Sequence, residues 1–360
     1  MSNSCMEMYM KHQNGTVDVQ EVIRNARIPI SEILIENYCH MVHISVALTG
    51  KQFSAWLIYD SDDLDEDDED LEPMNIGITR FDHSEKRGDE LTLYHENRLT
   101  GAFRVLRDIF HVFSGPLKHI SLITGTVPRP SISQFLIDIY EHFDTLKQCP
   151  SMQLFEPDSS STTMMDQILE SATGLKKLDL RSRFPADWRN DRITKIDTLL
   201  AWPAEWFTTT DLLVNMDCEC ANINDTTLKW QSFKAFMLKW QMGGNTKLKV
   251  LEVSFDGNWE GFQLDGLEYK EWDKNERDSH YPEMFLPIGN DWMNCERACD
   301  IQRADGLLAS FWRTTQAFHF VVWHDRHPIA TLRPDPELLV KIPTELSSDE
   351  DEEDEEEDDE

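Results

Sequence analysis

The chain has 360 residues, of which 40% are apolar and 11 are tryptophan, and a formal net charge of −33. That much apolar mass can bury a large core, which excludes a chain disordered throughout. The charge is concentrated in two runs: Asp60–Glu72 holds ten carboxylates and Asp349–Glu360 holds twelve, and without those 22 the rest carries −11, an ordinary acidic surface. No basic stripe is present to release counterions from nucleic acid, and an acidic body is repelled by anionic membranes, so neither is expected as a partner.

The N-terminus has no basic stretch followed by an apolar one, and nowhere do 18 apolar residues run together. Seven cysteines, Cys5, Cys39, Cys149, Cys218, Cys220, Cys295 and Cys299, are an odd and scattered set that fits reduced thiols better than a disulfide framework. A cytoplasmic or nuclear location is the expectation.

Residues 1–39 read as a flexible or only partly ordered segment, because Val17–Tyr38 mixes β-branched residues with Pro29 and shows no clean period. Residues 40–99 read as a β-hairpin region. Two strands lie within Met41–Tyr59 around Thr49-Gly50-Lys51, followed by a disordered acidic loop over 60–72, where like charges repel.

From there to about residue 330 the pattern becomes regular. Helices are expected over Thr100–Phe113, Ser131–Leu146, Thr162–Ala172 and Asp225–Met242, from apolar residues at three- and four-residue spacing, with Gly174 and Gly243-Gly244 as stops. Between them the pattern L-x-x-L-x-L recurs, starting at Leu117, Cys149, Leu175, Leu213 and Leu248, with intervals of 32, 26, 38 and 35 residues. Such spacing suggests a solenoid in which each strand buries its leucines under a helix and pairs in parallel with the next. The expected fold is therefore α/β, a degenerate leucine-rich-repeat-like layered array of short strands and helices.

Ser254–Asn294, rich in Trp, Gly, Asp and Pro, reads as a long connection lying over the sheet. Cys299–Trp323 then reads as an antiparallel three-strand meander that closes the array. With Asp305-Gly306 as a two-residue type I′ turn, Ala304 would pair with Leu307 and Ile301 with Ser310. Cys299, Ile301, Leu308 and Trp312 would then share one face, and Asp300, Gln302 and Ala309 the other. Residues 331–360 read as an extended exit and a disordered acidic tail, in which Ser347 and Ser348 stand three residues before Glu350 and Asp351, an acidophilic phosphorylation context.

No residue pattern assigns a reaction. Nucleophile-elbow, P-loop, zincin and dinucleotide fingerprints are all missing from the sequence, so no catalytic residue, cofactor or metal is expected. Cys218-Glu219-Cys220, on an expected strand, lacks a second ligand pair and reads as two packed thiols. His324-Asp325-Arg326-His327 reads as a charged turn. Trp188, Trp202, Trp206 and Trp259, at element ends or in loops, are candidates for a binding surface, with core burial the default reading of any one of them.

Two stretches carry a resemblance. Phe236, Trp240, Gly243, Asn245, Leu248 and Leu251 follow F-x-x-x-W-x-x-G-x-N-x-x-L-x-x-L. Asp300, Ile301, Arg303, Asp305, Gly306 and the strand ending at Trp323 follow a D-I-x-R-x-D-G hairpin. Together they resemble the type 2 F-box-associated domain of nematode F-box proteins, over roughly two thirds of the chain. The resemblance implies a non-enzymatic module that recognises protein targets for a cullin-RING ubiquitin ligase, with those twelve residues as fold determinants. In that family an F-box docks to the adaptor. No F-box is recognisable in Met1–His40, so a Skp1-type adaptor is implied as a partner only through a cryptic one. An alternative reading from the carboxylate runs is an acidic-tailed binder of basic, histone-like proteins unrelated to ubiquitination.

Overall fold

Short runs of alternating apolar residues satisfy their backbone only by pairing with one another. In the computed structural model they pair into one 16-stranded mixed sheet. The structure describes residues 30–324 apart from 39, 49–51, 64–71, 77–78, 88–89, 114, 125–129, 160, 256–258, 260–261, 275–276 and 282–292. No helix among the described residues is long and apolar enough to cross a membrane.

The chain opens with β1 (Ile30–Asn37), β2 (Met41–Leu48), β3 (Gln52–Asp60), β4 (Glu72–Ile76), β5 (Thr79–Arg87) and β6 (Glu90–His95). Next come α1 (Arg98–Val112), β7 (His119–Thr124), α2 (Pro130–His142), α3 (Asp144–Lys147), β8 (Ser151–Ser159), α4 (Thr162–Ser171) and β9 (Lys177–Arg183). They are followed by β10 (Thr198–Ala201), α5 (Thr210–Val214), β11 (Cys220–Thr226), α6 (Trp230–Gln241) and β12 (Val250–Phe255). The last strands are β13 (Tyr269–Glu271), β14 (His280–Tyr281), β15 (Met293–Asn294), β16 (Cys299–Gln302), β17 (Leu308–Arg313) and β18 (Ala317–Trp323).

Across the sheet the order is β13-β16-β17-β18-β12-β11-β10-β9-β8-β7-β1-β2-β3-β6-β5-β4, with β14 and β15 paired apart from it. Neighbours from β7 to β12 are all parallel. Helical crossovers make that possible, since a parallel neighbour cannot be reached by a tight turn.

Inward residues of these strands, such as Leu122, Leu154, Leu180, Leu199, Ile223 and Leu251, are all fully buried or nearly so. α6 lies on this apolar face: Phe233 stacks on Phe318 at 4.7 Å, and Phe236 and Trp240 meet Phe320 edge-on at 5.2 and 5.3 Å. α1 covers the same face further along, where a Cβ on Gly101 would stand 3.0 Å from Ile58. Its first turn is capped by the Asn97 side chain, which accepts from the Thr100 N–H at 3.0 Å.

Several expectations are corrected. The segment 1–39 contains β1, an internal strand between β2 and β7. The acidic stretch 60–72 is anchored at both ends: Asp60 ends β3 and pairs with Arg98, Ser61–Asp63 form a 3-10 turn, and Glu72 opens β4. Residues 64–71 lie outside the described residues. The repeat at Leu213-Met216-Cys218 is not a strand, because Leu213 belongs to α5 and pairing begins only at Cys220. β10 appears where no strand was expected. The helix expected from Asp225 starts five residues later, since β11 runs to Thr226 and Asp225 takes φ 63°. Gly174 has a role other than that of a left-handed helix stop. A Cβ there would stand 2.4 Å from the Gln148 carbonyl oxygen, so only glycine permits the approach.

The 299–323 register also differs. Arg303 N–H donates to the Leu307 carbonyl at 2.8 Å and Gly306 N–H to the Arg303 carbonyl at 2.9 Å, enclosing a three-residue loop, Ala304–Gly306. Of these only Gly306 has positive φ, at 91°, whereas a type I′ turn needs two such residues. Ile301 therefore pairs with Ala309, and Asp300 with Ser310. That single slip moves Ala309 and Phe311 onto the face of Cys299 and Ile301, and Leu308 and Trp312 onto the face of Asp300. β16, β17 and β18 are consecutive antiparallel neighbours, yet they do not close the sheet, because β13 pairs outside β16 and β18 lies inside against β12.

Gly306→Val should lower stability by about 2 kcal/mol through the left-handed conformation alone. An unchanged urea midpoint would contradict this description of the loop.

Candidate functional site

The twelve residues of the two sequence motifs converge on two joints, one on each side of the sheet. On the apolar side the Arg303 guanidinium lies 5.4 Å from the Trp240 ring centroid and donates to both oxygens of Asp305, at 3.0 and 2.7 Å. This guanidinium pulls the Asp305 carboxyl down to about 2. Asn245, at φ 35°, accepts from the N–H groups of Lys247 and Leu248 and donates to the Cys218 carbonyl. Gly243, at φ 102°, ends α6 beside it, and the Ala304 N–H donates to the Gln241 carbonyl at 3.1 Å. Phe236, Leu248, Leu251 and Ile301 are buried in the same core. The motif thus welds α6 to the hairpin loop.

On the other side Asp300 is 1% exposed. Arg277 donates to it through Nε at 3.0 and 2.9 Å and through Nη2 at 2.8 Å, and Ser310 Oγ donates at 2.7 Å. Trp323 Nε1 donates to that Ser310 oxygen at 2.8 Å, and the Arg277 guanidinium sits 5.2 Å from the Trp323 ring. Tyr281 completes the corner by donating to the carbonyls of Lys249 and Val322. This network pins Arg277, Tyr281 and Cys295 over one corner of the polar face. All twelve residues are committed to internal contacts.

Replacing Asp300 by Ala leaves a buried guanidinium uncompensated and should cost about 3–5 kcal/mol in urea unfolding. A change below about 1 kcal/mol would mean that Arg277 finds water instead.

A row of polar side chains lies elsewhere on the polar face. Pairing registers place Ser121, Gln153, Asp179, Leu200, Asn222, Glu252, His319 and Trp312 side by side on eight adjacent strands. At about 4.8 Å per strand this row spans about 34 Å. Ser121 Oγ donates to Gln153 Oε1 at 2.6 Å, and Gln153 Nε2 to Asp179 Oδ2 at 3.2 Å. At the far end Trp312 stacks on His319, with centroids 4.8 Å apart and planes 6° from parallel. Burial pushes the His319 imidazolium down to about 4 and raises the Glu252 carboxyl.

Next to this row stand the exposed aromatics. Phe155 on β8 is 37% exposed and pairs with Arg181 on β9, whose Nε donates to Asp179 at 3.2 Å. Trp202, one residue past β10, is 55% exposed and held in place by its Nε1 donating to Asp225 Oδ2 at 2.7 Å. The other three candidate tryptophans are inside or partly inside. Trp188 stacks on Phe184 and donates to Asp166, Trp206 is buried among Phe184, Trp188 and Phe207, and Trp259 is half-buried and donates to the Thr314 carbonyl.

Two grooves accompany the sheet. One of about 550 Å³ beside β17 is lined by Trp230, Phe262, Phe311, Trp312 and Arg313, where Arg313 packs over Phe262 at 4.2 Å. Another, of about 740 Å³, runs between α1 and α2 along Phe103, Arg104, Phe135 and His142. Of Cys218-Glu219-Cys220 only Cys220 lies in a strand. Burial pushes the two thiols up to about 12 and about 11, which marks packed and unreactive groups. Among the described residues no group of three or more His, Cys, Asp or Glu could hold a metal ion. His324 Nε2 stands 2.6 Å from the Leu248 carbonyl; Asp325, Arg326, His327, Ser347 and Ser348 lie outside the described residues.

The polar row was not anticipated. Its signal is the residue between the last two apolar positions of each repeat, as in Met152-Gln153-Leu154, Leu178-Asp179-Leu180 and Leu251-Glu252-Val253, which only the register aligns.

No family model matches the chain, and no solved structure matches it. It is similar to an uncharacterized protein of Caenorhabditis elegans, at 25% identity over 317 residues that make up 83% of this chain and 72% of that protein.

Proposed function

We propose that the chain is a non-enzymatic protein-interaction module whose target-binding surface is the polar face of the sheet. The observation that carries this reading is the exposure of two large aromatics, Phe155 at 37% on that face beside Arg181 and Trp202 at 55% one residue past β10. Two large aromatics in water beside a hydrogen-bonded polar row resemble a binding hot spot more than a solvated surface. The row's length of about 34 Å suits a protein partner better than a small molecule. Parallel strands with recurring apolar-x-apolar triplets support the leucine-rich-like reading of β7–β9 and β12. The sequence motifs support the further step, that targets are recruited in the manner of the substrate-recognition part of an F-box protein.

Trp202→Ala should weaken binding to the recovered target by about 2 kcal/mol, roughly thirtyfold, with thermal stability little changed. Unaltered affinity would remove the polar face as the binding surface. For the ligase step, tagged full-length chain should co-purify a Skp1-type adaptor and a cullin. Their absence under conditions that recover other stable partners would reject it.

A further inference from the structure

Of the two carboxylates in the polar row, Asp179 and Glu252, only Glu252 is without a cation among the described residues. Asp179 is met by Arg181 at 3.2 Å and Glu219 by Lys249 at 2.6 Å. Glu252, at the heart of the row and with its side chain 31% exposed, makes no hydrogen bond among the described residues. Its one cation-forming neighbour within 4.0 Å among the described residues is His319, whose Nδ1 stands 4.0 Å from Glu252 Oε2. That Nδ1 is itself buried and has no hydrogen-bond partner among the described residues. At neutral pH the imidazole is uncharged, since burial lowers its pKa to about 4, so it brings no positive charge to the carboxylate.

The Glu252 carboxylate is thus open, and 4.0 Å from it lies a buried, unpartnered ring nitrogen able to accept in the Nε2–H tautomer, a spacing a forked donor can bridge. The Trp312 ring, parallel to His319 at 4.8 Å, adds an aromatic flank. A planar guanidinium meets all three demands: two N–H donors in a fixed fork, a positive charge, and a flat surface for aromatic contact.

We propose that Glu252 and His319, flanked by Trp312, form the seat of an arginine side chain presented by the target protein. This rests on the reading of the polar face as the target-binding surface and adds the chemistry of what binds there. An extended, basic segment lying across the strands would place its arginine at Glu252 and its apolar residues toward Phe155 and Trp202. The chain's own charge of −33 favours a basic partner on approach.

The test is a titration of the full-length chain, with its histidine rings isotopically labelled, using N-acetyl-arginine-amide as probe. The His319 resonance is identified through His319→Gln. The expected result is a saturable shift of that resonance, no such shift with the neutral citrulline analogue, and binding about tenfold weaker in Glu252→Gln. Glu252→Asp, which keeps the charge, should retain the response. No saturable shift in the unaltered chain, or an equal response to citrulline, would overturn the proposal, as would full binding by Glu252→Gln. These outcomes are separate from the fate of the polar face as a whole. If the arginine probe fails while Trp202→Ala still weakens target binding, only the arginine seat is lost.

Discussion

The corner of the sheet built from β16, β17 and β18 depends on one buried ionic contact, the Asp300 carboxylate with the Arg277 guanidinium. A charge at 1% exposure is tolerable only when every lone pair is engaged. Here Arg277 and Ser310 occupy the oxygens of Asp300, and Trp323 reaches Ser310 in turn. Because Arg277 comes from the long connection after β12, the same contact draws that connection across the sheet. Tyr281, Cys295 and Ala298 are thereby laid over Val250 and Val321. Beyond that corner Phe155, Arg181 and Trp202 are exposed to water.

On the apolar side a second cation, Arg303, does a different job. Its guanidinium spans the Trp240 ring and the Asp305 carboxylate, while its own N–H closes the loop to Leu307. The two arginines therefore lock the antiparallel end of the sheet from both faces. This explains how two stretches nearly 60 residues apart belong to one pattern: Phe236–Leu251 supplies the helix and its stop, and Asp300–Gly306 supplies the loop that packs on them. The contacts these residues make are architectural: they join α6, its stop and the hairpin loop.

The parts legible in sequence were those governed by local periodicity. α1 and α4 appear where apolar residues recur at three and four, and β7, β8, β9 and β12 where the apolar triplets stand. Features set by tertiary contact were not legible. β10 is a four-residue strand whose pairing comes from its neighbours, and Leu213 was drawn into a helix by packing against α6. The hairpin register turned on whether Asp305 would adopt positive φ. It does not, because Arg303 and the Leu307 N–H engage its carboxylate in a three-residue loop. The polar row stayed hidden for a related reason: Gln153, Asp179, Glu252 and His319 are unremarkable singly and become a surface only through strand register.

The resulting division of labour is simple. Inward residues and two buried arginine networks fix the sheet, and the residues between them face the other way, where the proposed partner would bind. Hydrogen–deuterium exchange of the full-length chain, alone and with its recovered target, tests that division most directly. The account predicts added protection in peptides spanning the ends of β8 and β9, the Trp202 segment and β12, with α1 and α2 unchanged. Protection confined to the groove between α1 and α2 would contradict it.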